Sequence, residues 1–176
     1  KPWPSCRHTH PAIDAACELR HAASGPIERI EVETYPAALE VCNRPTPQSD
    51  YEAKFSLHHC VAAALTRETV DFAAFTATAR AELANLRERV TVRIAEPYAS
   101  AYPQAWGSAV TIALQSGERL TVRRTHAKGD PEAAVAPEEL INKARMLLTH
   151  GGVPDPDRLI TAILTLADDA PLPALF

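Results

Sequence analysis

At 176 residues and a net charge of −4, the chain is long enough for one core and a small appendage. It carries no block of like charge, which excludes a nucleic-acid or membrane-surface footprint. Its longest apolar stretches, such as Ala62 to Leu65, are far too short to span a bilayer.

The opening "KPWPSCRHTH" packs Lys1, Cys6, Arg7, His8 and His10 into ten residues. No apolar run follows Lys1, so it does not read as a signal peptide. Thr9 is placed to cap a helix running to about Ala22, with Pro11 in the first turn, where the ring is tolerated. Ile13, Ala16 and Cys17 share one face of that helix. After Gly25-Pro26, "IERIEVETY" alternates, with Ile30 and Val32 on one side and Glu31 and Glu33 on the other, which predicts a half-buried strand. A proline-rich connector from Pro36 to Pro47 follows, with room for one short helical turn. In "SDYEAKFSLHHCVAAAL", Ser49 and Glu52 have the spacing of a capping box. Ala53, Leu57, Cys60, Val61 and Ala64 recur at helical spacing behind them. A second helix is predicted over about Phe72 to Glu88.

Three strands come next. "RVTVRI" faces Val90, Val92 and Ile94 one way, "AVTIAL" does so with Val110, Ile112 and Leu114, and "RLTVRR" with Leu120 and Val122. Ser116-Gly117 is placed to join the last two as a hairpin. Strands with one apolar face each predict a sheet wet on one side and covered by helices on the other. The fold class is therefore α+β: a two-layer sandwich with a mainly antiparallel four-stranded sheet, closed by a helical pair. That pair is predicted from Pro137 to about Thr149 and from Asp155 to Asp168. The second has a broad apolar face of Leu159, Ile160, Ile163, Leu164 and Leu166. This face and the tail "APLPALF" have two readings: they complete the same core, or they dock on something outside the chain.

Cys6, Cys17, Cys42 and Cys60 are scattered without a CxxC pair. That predicts reduced thiols and a cytoplasmic setting rather than a disulfide framework. Cys6, His8 and His10 alternate, and on an extended strand would point one way as metal ligands, with His58 or Cys60 as a fourth. The helix start at Thr9–Pro11 interrupts that alternation, so no metal is expected.

Three stretches, "KPWPSCRHTHPAIDAACEL", "EAKFSLHHCVAAAL" and "HAKGDPEAAVAPEELINKAR", occur in the order in which they stand in the C-terminal part of the MmgE/PrpD family, which the chain resembles. The family contains 2-methylcitrate dehydratases, cis-aconitate decarboxylases and an iminodisuccinate epimerase. The resemblance implies an α+β smaller domain over residues 1–136. By the same resemblance, residues 137–176 are expected to form a tail that returns to pack on an N-terminal helical domain absent from this sequence. It also implies a cytoplasmic lyase of propionate metabolism, a hydro-lyase that removes a proton next to a carboxylate without a cofactor.

Such chemistry needs cations for several carboxylates and an acid–base group titrating near neutrality. The candidates are His10 and Lys1 as catalytic groups, and Arg7, His8, Arg44 and Lys54 for a small polycarboxylate substrate. His10 is equally placed to help cap a helix. Lys54 and His58 are one helical turn apart and would share a face. His59 and Cys60 read as packing. Cys6 stands where the decarboxylases carry a histidine, which favours dehydration over decarboxylation; epimerisation and a non-catalytic binding module remain the alternatives. The uncovered apolar face predicts a homo-oligomer, and the domain alone is expected to be inactive.

Overall fold

The computed structural model describes residues 1–166. The first of its two compact units comprises Lys1 and Trp3–Ala133. It is built on a four-stranded sheet of order β2-β1-β3-β4. A tight turn at Arg7–Thr9 leads into α1 (His10–Ala22) and then β1 (Ile27–Thr34). The crossover to β2 (Val90–Ile94) runs through α2 (Pro36–Cys42), α3 (Asp50–Ala53), α4 (Leu57–Thr66), α5 (Ala77–Glu82) and α6 (Ala84–Arg87). A short α7 (Tyr98–Ala101) precedes the hairpin of β3 (Ser108–Leu114) and β4 (Arg119–Arg124). β1 pairs in parallel with β2 and antiparallel with β3, and β3 pairs antiparallel with β4. The sheet is thus mainly antiparallel, as its alternating strands predict, with one parallel edge imposed by the long crossover. Gly117, at φ 89°, supplies the left-handed residue of the hairpin turn.

α1 packs on β3, β4 and α4, and α4 also meets β2. The core between these helices and the sheet is made by Ile13, Ala16 and Leu19 of α1, Leu57, Val61 and Ala64 of α4, and Ile30, Val32, Val110, Ile112 and Leu114 of the strands. A second, smaller cluster joins Tyr35, Ala38, Tyr98 and Ala109. Ala109 alternates with Val110 and so lies on the opposite face of the sheet. That face is therefore covered at one end, not wet throughout.

Four local expectations change. The helix predicted from Ser49 onward is two helices, broken at Lys54–Ser56. Ser56 restarts the chain as a new N-cap, its Oγ accepting from His59 N at 3.0 Å and donating to Arg44 O at 2.5 Å. The break frees Lys54 O to accept from Cys6 N at 2.8 Å, and Lys54 and His58 are not successive turns of one helix. Ser49 does cap Glu52 N, but the Glu52 carboxylate accepts from Gln48 N rather than from Ser49 N. The helix predicted over 72–88 is a turn at Phe72–Phe75 followed by α5 and α6, because Thr76 caps a new start at Ala79 N. Ile94, at the end of edge strand β2, is 45% exposed instead of facing the core.

The second unit begins at Ala134 and holds α8 (Pro137–His150) and α9 (Pro156–Leu164). Both start with proline in the first turn, and Asp155 caps α9 through Arg158 N. Arg145 Nε donates to Asp157 Oδ1 at 2.8 Å and ties the pair. α9 stops at Leu164, short of the predicted Asp168, where Thr165 turns its hydroxyl back onto Thr161 O. Leu159 and Ile160 are buried, whereas Leu140, Leu147, Ile163, Leu164 and Leu166 are exposed. The "APLPALF" tail lies outside the described residues.

Candidate functional site

The opening segment is held at several points. Trp3 Nε1 donates to Asp14 Oδ1 at 2.9 Å, and the other oxygen of Asp14 accepts from Lys128 N at 3.1 Å. Burial pushes the Asp14 carboxyl up from its ordinary range. Cys6 N is fixed on Lys54 O, and Cys6 O accepts from Thr9 N at 3.0 Å and Thr9 Oγ1 at 2.7 Å. Thr9 therefore does not cap α1 as expected: it is itself in the right-handed helical region, and its hydroxyl serves the turn behind it. Lys1 Nζ donates to Ser5 O at 2.9 Å, closing the segment on itself.

This scaffold presents Arg7 and His8 to a wall of aromatic rings. His8 stacks on Trp106 with centroids 4.6 Å apart and ring planes 6° from parallel. Its Nδ1 shares a 2.8 Å hydrogen bond with Tyr35 Oη. Tyr35 in turn stacks on Tyr102 at 4.5 Å. Arg7 lies over the Trp106 ring, 5.7 Å from the centroid, and forms an ion pair with Asp130. Burial lowers the His8 pKa, so the ring is neutral at pH 7, and it raises that of Tyr35, so the phenol keeps its proton. Gly107, next to Trp106, lets the chain pass close to the end of β4 and to Tyr98: a Cβ there would come within 2.7 Å of Arg124 O and of the Tyr98 ring.

The other expected residues are placed differently. His10 is fully buried at the start of α1, its Nε2 3.4 Å from Ser5 O and its Nδ1 without a hydrogen-bond partner. Burial drives its pKa down to about 3. It neither caps a helix by its side chain nor faces solvent in this unit. Lys54 is half-buried with its ammonium 5.7 Å over the Phe72 ring. Its carbonyl, not its side chain, ties it to the segment. Arg44 is exposed just beyond α2. His58 is a bridge in the fold, with Nδ1 3.0 Å from Val90 O and Nε2 2.9 Å from Asn43 Oδ1. His59 and Cys60 are buried packing, as expected, with His59 Nε2 2.8 Å from Ala74 O. Among the described residues no group of three His, Cys, Asp or Glu side chains has the geometry of a metal site.

Sequence reasoning missed Tyr35, Tyr102, Trp106, Asp130 and Cys42. "AYPQAWG" holds three of the bulkiest or most permissive residue types in one loop, and that density of aromatics beside a glycine was the available signal. Cys42 had none, because only the fold brings α2 against the Arg7–Thr9 turn. The neighbouring Cys42 thiol, with the His8 amide and the charge of Lys1, outweighs burial and pulls the Cys6 pKa down from the ordinary thiol range to about 6. The Cys6 neighbour and burial push Cys42 up.

The family described as the MmgE/PrpD C-terminal domain matches the chain over residues 3–168, nearly its whole length. Among curated protein sequences none matches it.

Proposed function

We propose that this chain, which belongs to the MmgE/PrpD family as its C-terminal domain, is the smaller domain of a 2-methylcitrate dehydratase-like hydro-lyase acting on a polycarboxylate. In this reading residues 1–136 carry the substrate-facing groups, and residues 137–176 pack on a helical N-terminal domain that completes the site. The enzyme works in the cytoplasm as a homo-oligomer, without cofactor, metal, nucleic-acid or membrane partner. No helix among the described residues is long and apolar enough to cross a membrane.

The observation that carries the reading is the clamp on His8. A base for removing a proton next to a carboxylate must be neutral at working pH and fixed in direction. His8 is neutral because it is partly desolvated, and Tyr35 and Trp106 fix its plane. With Nδ1–H donating to Tyr35 Oη, the Nε2 lone pair is the basic position. Arg7, beside it, offers the forked donors that match a carboxylate, and its partner Asp130 and the Trp106 face hold it in place. Lys1, Arg44 and Lys54 add positive charge for the remaining carboxylates. The burial of His10 favours a positioning role, holding Ser5 and hence Lys1 from inside, over direct proton transfer.

The test joins the chain to a helical domain of the family and measures turnover of 2-methylcitrate and related tricarboxylates. Arg7→Ala or Lys54→Ala should weaken binding by about 1.5–3 kcal/mol, the worth of a hydrogen bond to a charged group. The chain without the helical domain should be inactive. Parent-like turnover by His8→Asn, Arg7→Ala and Lys54→Ala alike would overturn the assignment.

A further inference from the structure

Asp14 joins three parts of the chain. It stands on α1, half-buried, with both carboxylate oxygens in use: Oδ1 accepts from Trp3 Nε1 at 2.9 Å and Oδ2 from Lys128 N at 3.1 Å. Lys128 belongs to a turn braced on itself. Asp130 N donates to Ala127 O at 3.0 Å, Gly129 N donates to Ala133 O at 2.7 Å, and Asp130 Oδ2 accepts from Ala127 N at 3.0 Å. Gly129, at φ 92°, supplies the left-handed residue of this turn. Asp130 Oδ1 meets Arg7, whose guanidinium lies over Trp106. Arg7 and Asp14 are themselves close in sequence, on one continuous stretch that runs from the Arg7–Thr9 turn into α1. The 127–130 turn therefore splints that stretch, fastened by Asp14 at Lys128 N and by Arg7 at Asp130.

We propose that Asp14 is a positioning residue for Arg7: by fixing the 127–130 turn it sets the place at which Asp130 holds the guanidinium. The arginine fork matches a carboxylate in a definite orientation, and a long side chain held in advance gives up less freedom when a ligand binds. Asp130 and the Trp106 face supply that hold. The turn that carries Asp130 is a compact unit, so what places the turn places Asp130. Asp14 ties it to α1, and through Trp3 ties the start of the chain to the same point. An amide in its place has one accepting oxygen and an NH2 group that only donates. Asp14→Asn can therefore serve Trp3 or Lys128 N, but not both as Asp14 does. The effect on substrate rests on the polycarboxylate reading; the link from Asp14 to Arg7 does not.

The chain has two tryptophans, and they report the two ends of the link: Trp3 bonds Asp14, and Trp106 lies beneath Arg7. In nitrogen–proton correlation spectra of the chain, Asp14→Asn should move the Lys128 and Ala127 amide signals. It should also shift the Trp106 indole signal in the direction that Arg7→Ala shifts it, with the circular dichroism spectrum unchanged. Asp14→Glu, which keeps two accepting oxygens, should restore most of that shift. An unmoved Trp106 signal in folded Asp14→Asn would overturn the proposal. Should Asp14→Asn lose its fold, Asp130→Asn takes its place, since such a coupling runs both ways. It should move the Trp3 indole signal, and an unmoved Trp3 signal would overturn the proposal in turn. Joined to a helical domain, Asp14→Asn should raise KM for 2-methylcitrate about tenfold with kcat nearly kept, the mark of lost binding rather than lost chemistry. A parent-like KM beside a raised one for Arg7→Ala would also overturn it. If Arg7→Ala itself leaves KM unchanged, the polycarboxylate reading fails, and the indole signals still decide the link.

Discussion

Two stretches of this chain carry the same reactive residue types and use them in opposite ways. In α4, His58, His59 and Cys60 are all buried, and their polar atoms turn to protein groups: Val90 O and Asn43 Oδ1 for His58, Ala74 O for His59 and Ala53 O for Cys60. In the opening segment, Cys6 and His8 are only half-buried and sit among Lys1, Arg7 and a stacked tryptophan. The first set ties helix, sheet and crossover together. The second is held by its backbone and by contacts of its side chains with Tyr35, Trp106 and Asp130, and Cys6, Arg7 and His8 stay only half-buried. What separates the two stretches is burial and the partners of each side chain, not which residue types are present.

That contrast can be broken most sharply in the core. Leu57→Ala, at a fully buried position beside His58, should cost about 2–5 kcal/mol in chemical denaturation, through lost burial and the cavity left behind. A loss under 1 kcal/mol would mean that α4 is not the centre of the fold. The next effect is in pH. His10 is buried with its pKa down to about 3 from an ordinary 6.5, and burial lowers His58 and His59 as well. Below 6.5 the unfolded chain binds protons that the folded chain refuses. Stability is therefore full above that pH and falls as the solution is acidified towards the folded value. His10 alone contributes a slope of about 1.4 kcal/mol per pH unit in this window. Comparing the parent with His10→Gln between pH 6.5 and 5, where most carboxylates stay charged, should show a flatter slope in the variant. Parallel slopes would mean that His10 takes up its proton in the folded state.

The two stretches also differ in how legible they were. The strands were readable because period-two alternation survives in "IERIEVET", "VTIAL" and "RLTVRR", and each apolar face did go to the core apart from Ile94. The break at Lys54–Ser56 was not readable. Its apolar spacing fits an unbroken helix, and only the tertiary bond from Cys6 N to Lys54 O, together with the Ser56 cap, favours the interruption. The cationic residues of the candidate site could be nominated by type, but not the rings beside them, since Tyr35 comes from just past the end of β1 and Tyr102 and Trp106 from a loop far along the chain. His10 differs from them: its neighbours in sequence are reactive, whereas its neighbours in space are the start of α1 and Ser5 O.

The two serine caps sharpen the same point at lower energy. Ser56 is fully buried and bonds both His59 N and Arg44 O, whereas Ser49 caps an exposed start at Glu52 N. Ser56→Ala should cost about 1–2 kcal/mol and Ser49→Ala about 0.5–1 kcal/mol, the upper and lower parts of the range for N-cap removal. Thermal melts of the two variants side by side give the order. The reverse order would mean that the restart of α4 does not depend on its cap.

The change in stability expected at His8 is comparably small, and it is the most informative. Its ring contributes a stack on Trp106 and a hydrogen bond to Tyr35 Oη, both at the edge of the smaller cluster rather than in the main core. His8→Asn retains a side-chain group able to hydrogen-bond and removes the aromatic contact, worth about 0.5–1.5 kcal/mol. If the opening segment is the functional one, this variant should keep its fold and melt within a few degrees of the parent. Joined to a helical domain, it should lose turnover while binding tricarboxylate nearly as before, since Arg7 keeps Asp130 and Trp106 as partners. A merely structural His8 would give the opposite pattern: a marked loss of stability, with turnover per folded molecule unchanged. In that case the opening segment would belong with α4, as packing.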